Sequence, residues 1–261
     1  MSVRSNLRAE PGVEFDVRNK VVLLTGASSG LGAHFARRLR AAGAEVYAAA
    51  RRLDRLDALA DEVGIHPLAC DVSDAEACRD LIASVYRDAG RIDILVNNAG
   101  YGGTVPAEEQ SASDFQRILN VNLVAPFVLS QQLVVQSPAD LSRVSIINIA
   151  SILGLVGVGR VSSAAYAASK GGIVNLTREL ATQWARRGVR VNAIAPGWFE
   201  SEATEALFAS DDGKQWLRRN TPMGRGGAAN ELDGALLFLA SSASSFVTGQ
   251  ILVVDGGWTA V

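Results

Sequence analysis

The fold of this 261-residue chain is decided by one stretch near its start, Lys20-Val21-Val22-Leu23-Leu24-Thr25-Gly26-Ala27-Ser28-Ser29-Gly30-Leu31-Gly32. Residues 20–25 are almost continuously apolar, as in a strand that is covered on both faces. A glycine-rich turn follows, and then a helical pattern over 33–42. Strand, glycine-rich turn and helix in this order are the setting of a dinucleotide site, although a turn without a ligand is the alternative.

The glycines of this turn have separate tasks. Gly26 permits the tight turn, whereas Gly30 and Gly32 let the backbone and the helix approach a pyrophosphate. The start of the helix adds unpaired N–H groups and the positive end of the helix dipole. The stretch therefore predicts that a dinucleotide binds at this turn.

Strand and helix patterns alternate along the rest of the chain. Apolar runs predict further strands at residues 45–50, 65–70, 92–96, 144–150, 190–195 and 251–254. We find no internal repeat, low-complexity tract or linker, so we expect one domain over 1–261, with an N-terminal arm at 1–18. The alternation predicts the α/β class, a doubly wound parallel sheet with helices on both faces.

Composition excludes several classes of protein. The net charge of −2 and the isoelectric point near 5.8 give no electrostatic case for nucleic acid or an anionic membrane. No apolar run approaches the roughly 18 residues that span a bilayer, and the N-terminus has no apolar signal core, so we expect a cytoplasmic protein. Cys70 and Cys78 do not suggest a disulfide framework. Neither His34 nor His66 has partners at metal-ligand spacing, so we expect structural roles and no metal.

The end of the second strand bears on the choice of coenzyme. Ala50 stands where readers of a free ribose 2′-hydroxyl place an acid, and Arg51 follows it. A nearby arginine suits a 2′-phosphate, which favours NADP(H) over NAD(H). The alternative is that an arginine here only begins a solvated helix, and this is how we interpret Arg52 and Arg55.

Two later strand ends are further candidates for contact with the coenzyme. Asp71 follows the third strand and either faces the adenine ring or completes the turn. The pattern from Ser73 to Glu76 then suggests a capping box for the next helix. Small and amide residues at 97–100 follow the fourth strand, which suits a close approach of the coenzyme but also any turn.

Tyr166-Ala167-Ala168-Ser169-Lys170 is the candidate catalytic stretch. Residues four apart share one face of a helix, so the phenol and the ammonium project side by side. A cation nearby favours the phenolate and should lower the tyrosine pKa from about 10, which would make the pair a general acid and base. An ordinary helix with a packed tyrosine and a solvated lysine is the alternative.

Other polar residues are expected to join this pair. Ser151 ends the fifth strand, at the sheet edge where doubly wound proteins do chemistry. Pro126 lies in the helix predicted over 113–136 and cannot bond to the carbonyl of Asn122. We expect a kink that leaves this carbonyl free to hold a water, unless the kink has no function. Segment 198–227 suggests a substrate lid with an apolar underside, or an ordinary amphipathic excursion.

Together these motifs resemble the short-chain dehydrogenase/reductase family over residues 15–261, and are close to its 3-oxoacyl-carrier-protein reductases. The matching segments are TGASSGLG (25–32), CDVSD (70–74), NNAG (97–100), NVNL (120–123), Ser151, YAASK (166–170), RVNAIAPG (190–197) and VDGG (254–257). The resemblance implies a Rossmann-like domain with a seven-stranded parallel sheet. It also implies a homotetramer built through two long helices and the C-terminal edge.

The resemblance also implies site residues. Asn122, Ser151, Tyr166 and Lys170 are similar to the family's catalytic tetrad. In that scheme the tyrosine donates a proton to the substrate oxygen, and the serine stabilises the negative charge that develops on this oxygen. The lysine lowers the tyrosine pKa and binds the nicotinamide ribose, and the asparagine holds a relay water. The implied coenzyme-binding residues are Gly26, Ser28, Ser29, Gly30, Leu31, Gly32, Arg51, Asp71, Val72, Asn98, Ala99, Gly100, Tyr166, Lys170, Pro196 and Gly197. Implied substrate contacts are Leu153, Trp198, Phe199 and Phe208.

Two departures from the family pattern matter. Ser151 and Tyr166 are 15 positions apart, more than is usual, which predicts an insertion beside the substrate in loop 154–163. Many NADP-using relatives carry a basic residue where this chain has Ser29, so only Arg51 argues for the phosphate. We interpret the protein as an NADP(H)-dependent ketone and secondary-alcohol oxidoreductase. A 3-oxoacyl thioester, a polyol or another ketone stays open as substrate, and a non-catalytic NADP(H)-binding regulator or assembly protein is the alternative.

Overall fold

The structure, a computed structural model, describes residues 15–137, 141–160, 162–202 and 204–261. Its centre is a seven-stranded sheet in the order β3-β2-β1-β4-β5-β6-β7, in which every neighbouring pair is parallel. The strands are β1 Val21–Thr25, β2 Glu45–Ala50, β3 His66–Ala69, β4 Ile94–Asn97, β5 Ser145–Ile149, β6 Arg190–Pro196 and β7 Ile251–Val254. The α/β class and the parallel, doubly wound sheet predicted from sequence are confirmed.

Helices cover both faces of this sheet. They are α1 Gly30–Ala41, α2 Leu53–Val63, α3 Ala75–Ala89, α4 Ala112–Leu119, α5 Ala125–Gln136, α6 Ala164–Trp184, α7 Glu205–Ala209, α8 Asp211–Asn220 and α9 Asp233–Ala240. Alternate residues of β1 serve the two layers, because successive side chains of a strand point to opposite faces. Val22 and Leu24 join the cluster beneath α1, α2 and α9, whereas Val21 and Leu23 join the one beneath α3, α5 and α6.

The topology places a cleft beside β1. Leu24 of β1 is paired with Ala48 of β2 on one side and with Val96 of β4 on the other. The strand order reverses direction at this point, and ligands of doubly wound sheets bind outside the strand carboxyl ends there. The glycine-rich turn after β1 and the 97–100 turn after β4 therefore face the same cleft.

Three local predictions need correction. Helix α1 begins at Gly30 rather than near Ala33. The capping box predicted at Ser73 is wrong, because Asp74 is the N-cap of α3 and its Oδ1 accepts from Glu76 N at 2.8 Å. Residues 15–18 are not a free arm, since the Val17 side chain is fully buried in the core; residues 1–14 lie outside the described part.

The long helix predicted over 113–136 is interrupted. A π-helical turn, Asn120–Val124, separates α4 from α5, and Ala125 N donates to the carbonyl of Asn120. Proline lacks an N–H group, so Pro126 cannot continue the regular pattern, which explains the break. The expected distortion is thus present; that the Asn122 carbonyl holds a water stays a prediction.

This helical segment also corrects the expectation about apolar runs. Ala112–Gln136 is long and apolar enough to cross a membrane by length and composition, the one such helix in the described residues. Its inner side chains, among them Leu129 and Leu133, are buried in the core with α3. Core helices of this kind meet the same length and composition criteria as membrane spans, so the packing accounts for its apolar character.

Candidate active site

The glycine-rich turn fits tightly against the turn that follows β4. Gly26 has a positive φ of 70°, and a Cβ there would lie 2.7 Å from Ala99 Cα. A Cβ on Gly32 would overlap the carbonyl oxygen of Gly26 and lie 2.6 Å from Asn98 Nδ2. The two turns therefore touch through backbone, and larger residues would force them apart.

Hydrogen bonds tie the same two turns together. Thr25 Oγ1 accepts from the N–H groups of Asn98 and Ala99, at 3.1 Å each. Asn98 Nδ2 donates to the carbonyls of Thr25 at 2.9 Å and Gly26 at 3.2 Å. The Asn98 side chain thus shapes the turn from behind. Sequence reasoning missed Thr25, although a hydroxyl at a strand end beside such a turn was an available signal.

The start of α1 is suited to a phosphate. Ser29 is its N-cap, and within the described residues the Ser29 side chain makes no capping hydrogen bond. The first N–H groups of the helix are therefore left for another acceptor, and the dipole favours an anion there. With the close backbone approach at Gly26 and Gly32, these residues fit a dinucleotide pyrophosphate.

Of the arginines after β2, Arg52 makes side-chain contacts that the sequence did not predict. Arg51 is exposed and adds to the lowering of the Asp71 pKa, which is mainly due to hydrogen bonds from Ser73. Asp71 therefore completes the turn. Arg52 does not simply begin a solvated helix: its Nε donates to Ser28 Oγ at 3.2 Å and its guanidinium to Ser29 Oγ at 2.7 Å. Arg52 thus brings a positive charge beside Ser29, the position at which many NADP-using relatives carry a basic residue.

Ser151, Tyr166 and Lys170 meet beyond the end of β5. Lys170 is 4 % exposed, and its Nζ donates to the carbonyl of Ile149 at 2.6 Å and lies 5.5 Å from the centroid of the Tyr166 ring. The Ser151 hydroxyl hydrogen-bonds the Tyr166 phenol and accepts from Leu153 N at 3.1 Å. The helical spacing of Tyr166 and Lys170 and the strand end at Ser151 bring the three groups to one place.

The electrostatics of this group depart from expectation. Burial raises the pKa of Tyr166, and the hydrogen bond from Ser151 opposes that rise. Burial also lowers the pKa of Lys170 to about 8. The expected lowering of the tyrosine pKa by Lys170 is therefore wrong for the protein without coenzyme, because desolvation of the phenol outweighs an ammonium that is itself desolvated.

Asn122 holds the loop that borders this site. Its Oδ1 accepts from Tyr101 N at 3.0 Å, and its Nδ2 donates to the Tyr101 carbonyl at 2.8 Å and to Ser169 Oγ at 3.1 Å. The side-chain amide is thus occupied by protein partners. A Cβ on Gly100 would lie 3.2 Å from Asn122 Oδ1 and 3.5 Å from Lys170 Nζ, so the backbone beside Asn122 runs close to the Lys170 ammonium.

The predicted substrate residues do not all reach one place. Phe199 is 5 % exposed and belongs to the core cluster of α9, so its contact with substrate stays a prediction. Trp198 packs edge-on against Trp216 and Trp258, with ring centroids 5.2 and 5.7 Å apart. Leu153 and Phe208 are half-buried. Sequence pattern could not separate Trp198 from Phe199, since both are aromatic and adjacent.

The remaining predicted coenzyme residues lie at or just after the carboxyl ends of strands. Pro196 ends β6, and Gly197 N donates to the Val254 carbonyl at 2.8 Å. Val72 is buried after β3, and its carbonyl accepts from Cys78 Sγ at 3.3 Å. Their contact with a coenzyme stays a prediction.

The buried lysine predicts a pH-dependent cost to stability. Its pKa falls from 10.5 unfolded to about 8 folded, so the cost is complete below pH 8 and disappears as the pH rises from 8 towards 10.5. Relative to wild type, Lys170→Met should therefore lose its stability advantage across that window, by at most about 1.4 kcal/mol per pH unit. Urea unfolding of both proteins between pH 7 and 10 measures this difference, and a constant difference would contradict the burial argument.

Comparison with known proteins agrees with this geometry. Residues 26–259 match a family model described as enoyl-(acyl carrier protein) reductase. Gluconate 5-dehydrogenase of Gluconobacter oxydans (strain 621H) is 40 % identical over 250 residues, which cover 94 % of this chain and 96 % of that protein. The 3-oxoacyl-[acyl-carrier-protein] reductase FabG of Thermotoga maritima is 35 % identical over 92 % of this chain and 98 % of its own length.

A solved structure extends the likeness to three dimensions. The crystal structure of a gluconate 5-dehydrogenase from Burkholderia cenocepacia J2315, in complex with NADP and tartrate, superposes with a TM-score of 0.88 at 35 % identity and covers 95 % of this chain and 98 % of that one. Motifs, strand order and relatives agree over nearly the whole length. The chain belongs to the short-chain dehydrogenase/reductase family.

Proposed function

We propose that this protein is an NADP(H)-dependent oxidoreductase that interconverts a ketone and a secondary alcohol of a polyhydroxylated carboxylate. The observation that carries the reaction type is the meeting of Ser151, Tyr166 and Lys170 beside a turn that fits a dinucleotide. Because all four tetrad positions are filled, a protein that only binds the coenzyme, for regulation or assembly, is not favoured.

The side chains suggest how the proton is handled. NADPH, when bound, supplies the hydride that reduces the carbonyl carbon. The Tyr166 phenol is protonated at neutral pH because burial raises its pKa, so it can donate its proton to the substrate oxygen. The Ser151 hydroxyl, which already bonds that phenol, stabilises negative charge on the same oxygen. In the oxidation direction the phenol must first lose its proton, and the phenolate oxygen then accepts the proton of the substrate hydroxyl.

Lys170 and Asn122 support this proton transfer through their positions near Tyr166. The Lys170 ammonium is held by the Ile149 carbonyl and lies below the tyrosine ring. Its pKa of about 8 lets it exchange a proton near neutral pH. Asn122 holds the Tyr101 backbone and with it the loop beside this ammonium, and its carbonyl is the proposed site of the relay water.

Arg160 supports the carboxylate part of the proposal. It lies in loop 154–163, which precedes α6, and its guanidinium sits 5.3 Å from the centroid of the Trp216 ring. Trp216 touches Trp198 and Trp258, and so belongs to the aromatic group that follows β6 and β7. We propose that a cation stacked on this group contacts the carboxylate of an anionic substrate.

The relatives support the same substrate class. The gluconate 5-dehydrogenases described above are named for an oxidation of a polyhydroxylated acid, and one of them was crystallised with tartrate, a small hydroxylated carboxylate. A 3-oxoacyl thioester is the second candidate, because the FabG relative matches over a similar length at lower identity.

Coenzyme-linked turnover tests both candidates. Reduction would be followed with NADPH and with NADH on a keto-aldonate such as 5-ketogluconate, a 3-oxoacyl thioester and a neutral keto-sugar of matched size. We expect the fastest turnover with NADPH and the keto-aldonate. A thioester preference would overturn the substrate class but not the reaction type, whereas faster turnover with NADH would overturn the coenzyme.

Removing the Arg160 charge is expected to weaken the binding of carboxylate substrates and not that of neutral ones. Arg160→Gln should raise KM for the keto-aldonate about threefold to fivefold, as expected for one exposed charge contact, with little change in kcat or in KM for the neutral keto-sugar. Arg186→Gln, which removes an exposed arginine at the far end of α6, is the matched control. Equal changes for both substrates would contradict a carboxylate contact.

Assembly and location are also proposed from these observations. Val124, Phe127 and Val135 are exposed at 43, 38 and 70 % and share one face of the segment that contains α5. An apolar face of this kind is suited to burial between subunits, so we propose the homotetramer that the family resemblance implies. We also propose a cytoplasmic location and a lid role for segment 198–227, whose helices are α7 and α8.

A further inference from the structure

A carboxylate of segment 198–227 lies on the basic group beside the glycine-rich turn. Glu202 Oε1 accepts from Arg55 Nη1 at 2.6 Å, and Glu202 Oε2 lies 3.4 Å from Arg52 Nη2. The pKa of this carboxyl is lowered first by the hydrogen bond from Arg55, then by the Ser29 hydroxyl, and further by the charges of both arginines. Three donors from two different elements therefore converge on one anionic group.

The same donors surround the position of a coenzyme phosphate. Ser29 is the N-cap of α1, and Arg52 is the N-cap of α2 immediately beyond the carboxyl end of β2. A ribose bound at this turn presents its 2′ position to the end of β2, where a cation suits a 2′-phosphate. Arg52 and Ser29 thus form an anion site, which in this structure is filled by the carboxylate of the protein itself.

The backbone next to Glu202 reaches over the turn as well. A Cβ on Gly30 would lie 3.6 Å from Ser201 Cβ, so the segment passes directly above the first turn of α1. Glu202 is therefore the side chain by which this segment attaches to the glycine-rich turn. An anion that displaces the carboxylate would release that attachment.

We propose that Glu202 acts as an internal anion that occupies the 2′-phosphate subsite of the free protein and thereby sets its discrimination between NADPH and NADH. A 2′-phosphate competes with the carboxylate for Ser29, Arg52 and Arg55, whereas a 2′-hydroxyl leaves the carboxylate in place and can donate a hydrogen bond to it. Binding of the phosphorylated coenzyme therefore detaches segment 198–227 from the turn. This inference rests on the proposed use of NADP(H).

The size of the effect follows from exposure. The side chains of Arg52, Arg55 and Glu202 are 42, 45 and 56 % exposed. Ion pairs at such exposure change binding constants by no more than about fivefold. The carboxylate is thus held weakly enough for a phosphate, with its larger charge, to displace it.

Dissociation constants of one variant test the proposal. Glu202→Gln keeps the shape of the side chain and removes its charge. We expect it to bind NADPH and the fragment 2′,5′-ADP about threefold to fivefold more tightly than wild type does, and NADH no more tightly. Glu200→Gln, which removes an exposed carboxylate two residues away, is the control and should leave the ratio of the two coenzymes unchanged.

The outcomes separate the inference from the proposed function. If Glu202→Gln changed the dissociation constants of NADPH and NADH by equal factors, or bound NADPH more weakly, the proposal of an internal anion would be overturned. The NADP(H)-dependent activity would be left intact. Wild-type protein that turns over substrate with NADH and does not bind NADPH would instead refute the proposed coenzyme. A shift in the ratio with both Glu202→Gln and Glu200→Gln would reduce the effect to general surface charge, which also overturns the proposal.

Discussion

Tyr166→Phe is expected to lose about a thousandfold in kcat for ketone reduction, within the range that positioned general acids contribute. The substitution keeps the ring that lies over Lys170 Nζ and removes only the hydroxyl that bonds Ser151. The substrate oxygen would then keep the hydrogen bond from the Ser151 hydroxyl but would have no general acid to transfer a proton to it. Because the ring stays in place, the dissociation constant for NADPH should change less than threefold.

Turnover and coenzyme binding must both be measured, in the same preparations. Tyr86→Phe is the matched control, since its hydroxyl donates to the Leu133 carbonyl at 2.8 Å where α3 packs on α5. We expect this control to lose about 1 kcal/mol of stability and to keep its turnover. If Tyr166→Phe retained near wild-type kcat, Tyr166 could not be the proton donor.

Gly32→Ala is expected to abolish coenzyme binding and to lower the free energy of unfolding by about 1–3 kcal/mol, the usual cost of overpacking. The added methyl group would overlap the Gly26 carbonyl oxygen and lie 2.6 Å from Asn98 Nδ2. Neither neighbour is the end of a flexible side chain, because Asn98 Nδ2 itself is held by the carbonyls of Thr25 and Gly26. The turn must therefore move away from α1.

Another glycine in the first turn of a helix, Gly234, provides the control for Gly32→Ala. Gly234, in α9, has no atom within 4 Å of an added Cβ. Gly234→Ala should thus be neutral or stabilising by up to about 1 kcal/mol, because alanine is the better helix former. Urea unfolding and NADPH titration of the two variants compare the same chemical change with opposite expected signs. Tight NADPH binding by Gly32→Ala would show that the turn does not hold the coenzyme.

Hydrophobic pattern was sufficient for the fold. Each predicted strand is present, and β2 and β7 have the predicted ends. Such runs can be recognised because a parallel strand covered on both faces must be apolar throughout. The start of α3 was displaced by one residue, since Ser73 and Asp74 are both good caps and only the use of the Ser73 hydroxyl by Asp71 decides between them.

The sequence by itself determined the α/β sheet, the family and the candidate tetrad, because strand periodicity, glycine spacing and the four-residue step from Tyr166 to Lys170 are local properties of the chain. Tertiary structure decided what depends on distant residues: the contact of Arg52 with Ser28 and Ser29, the burial of Phe199, and the pairing of Asn122 with Tyr101. The same holds for the raised pKa of Tyr166, since desolvation is caused by everything that folds around the phenol. Side-chain direction and burial arise only when separate elements pack together, so one-dimensional spacing does not contain them.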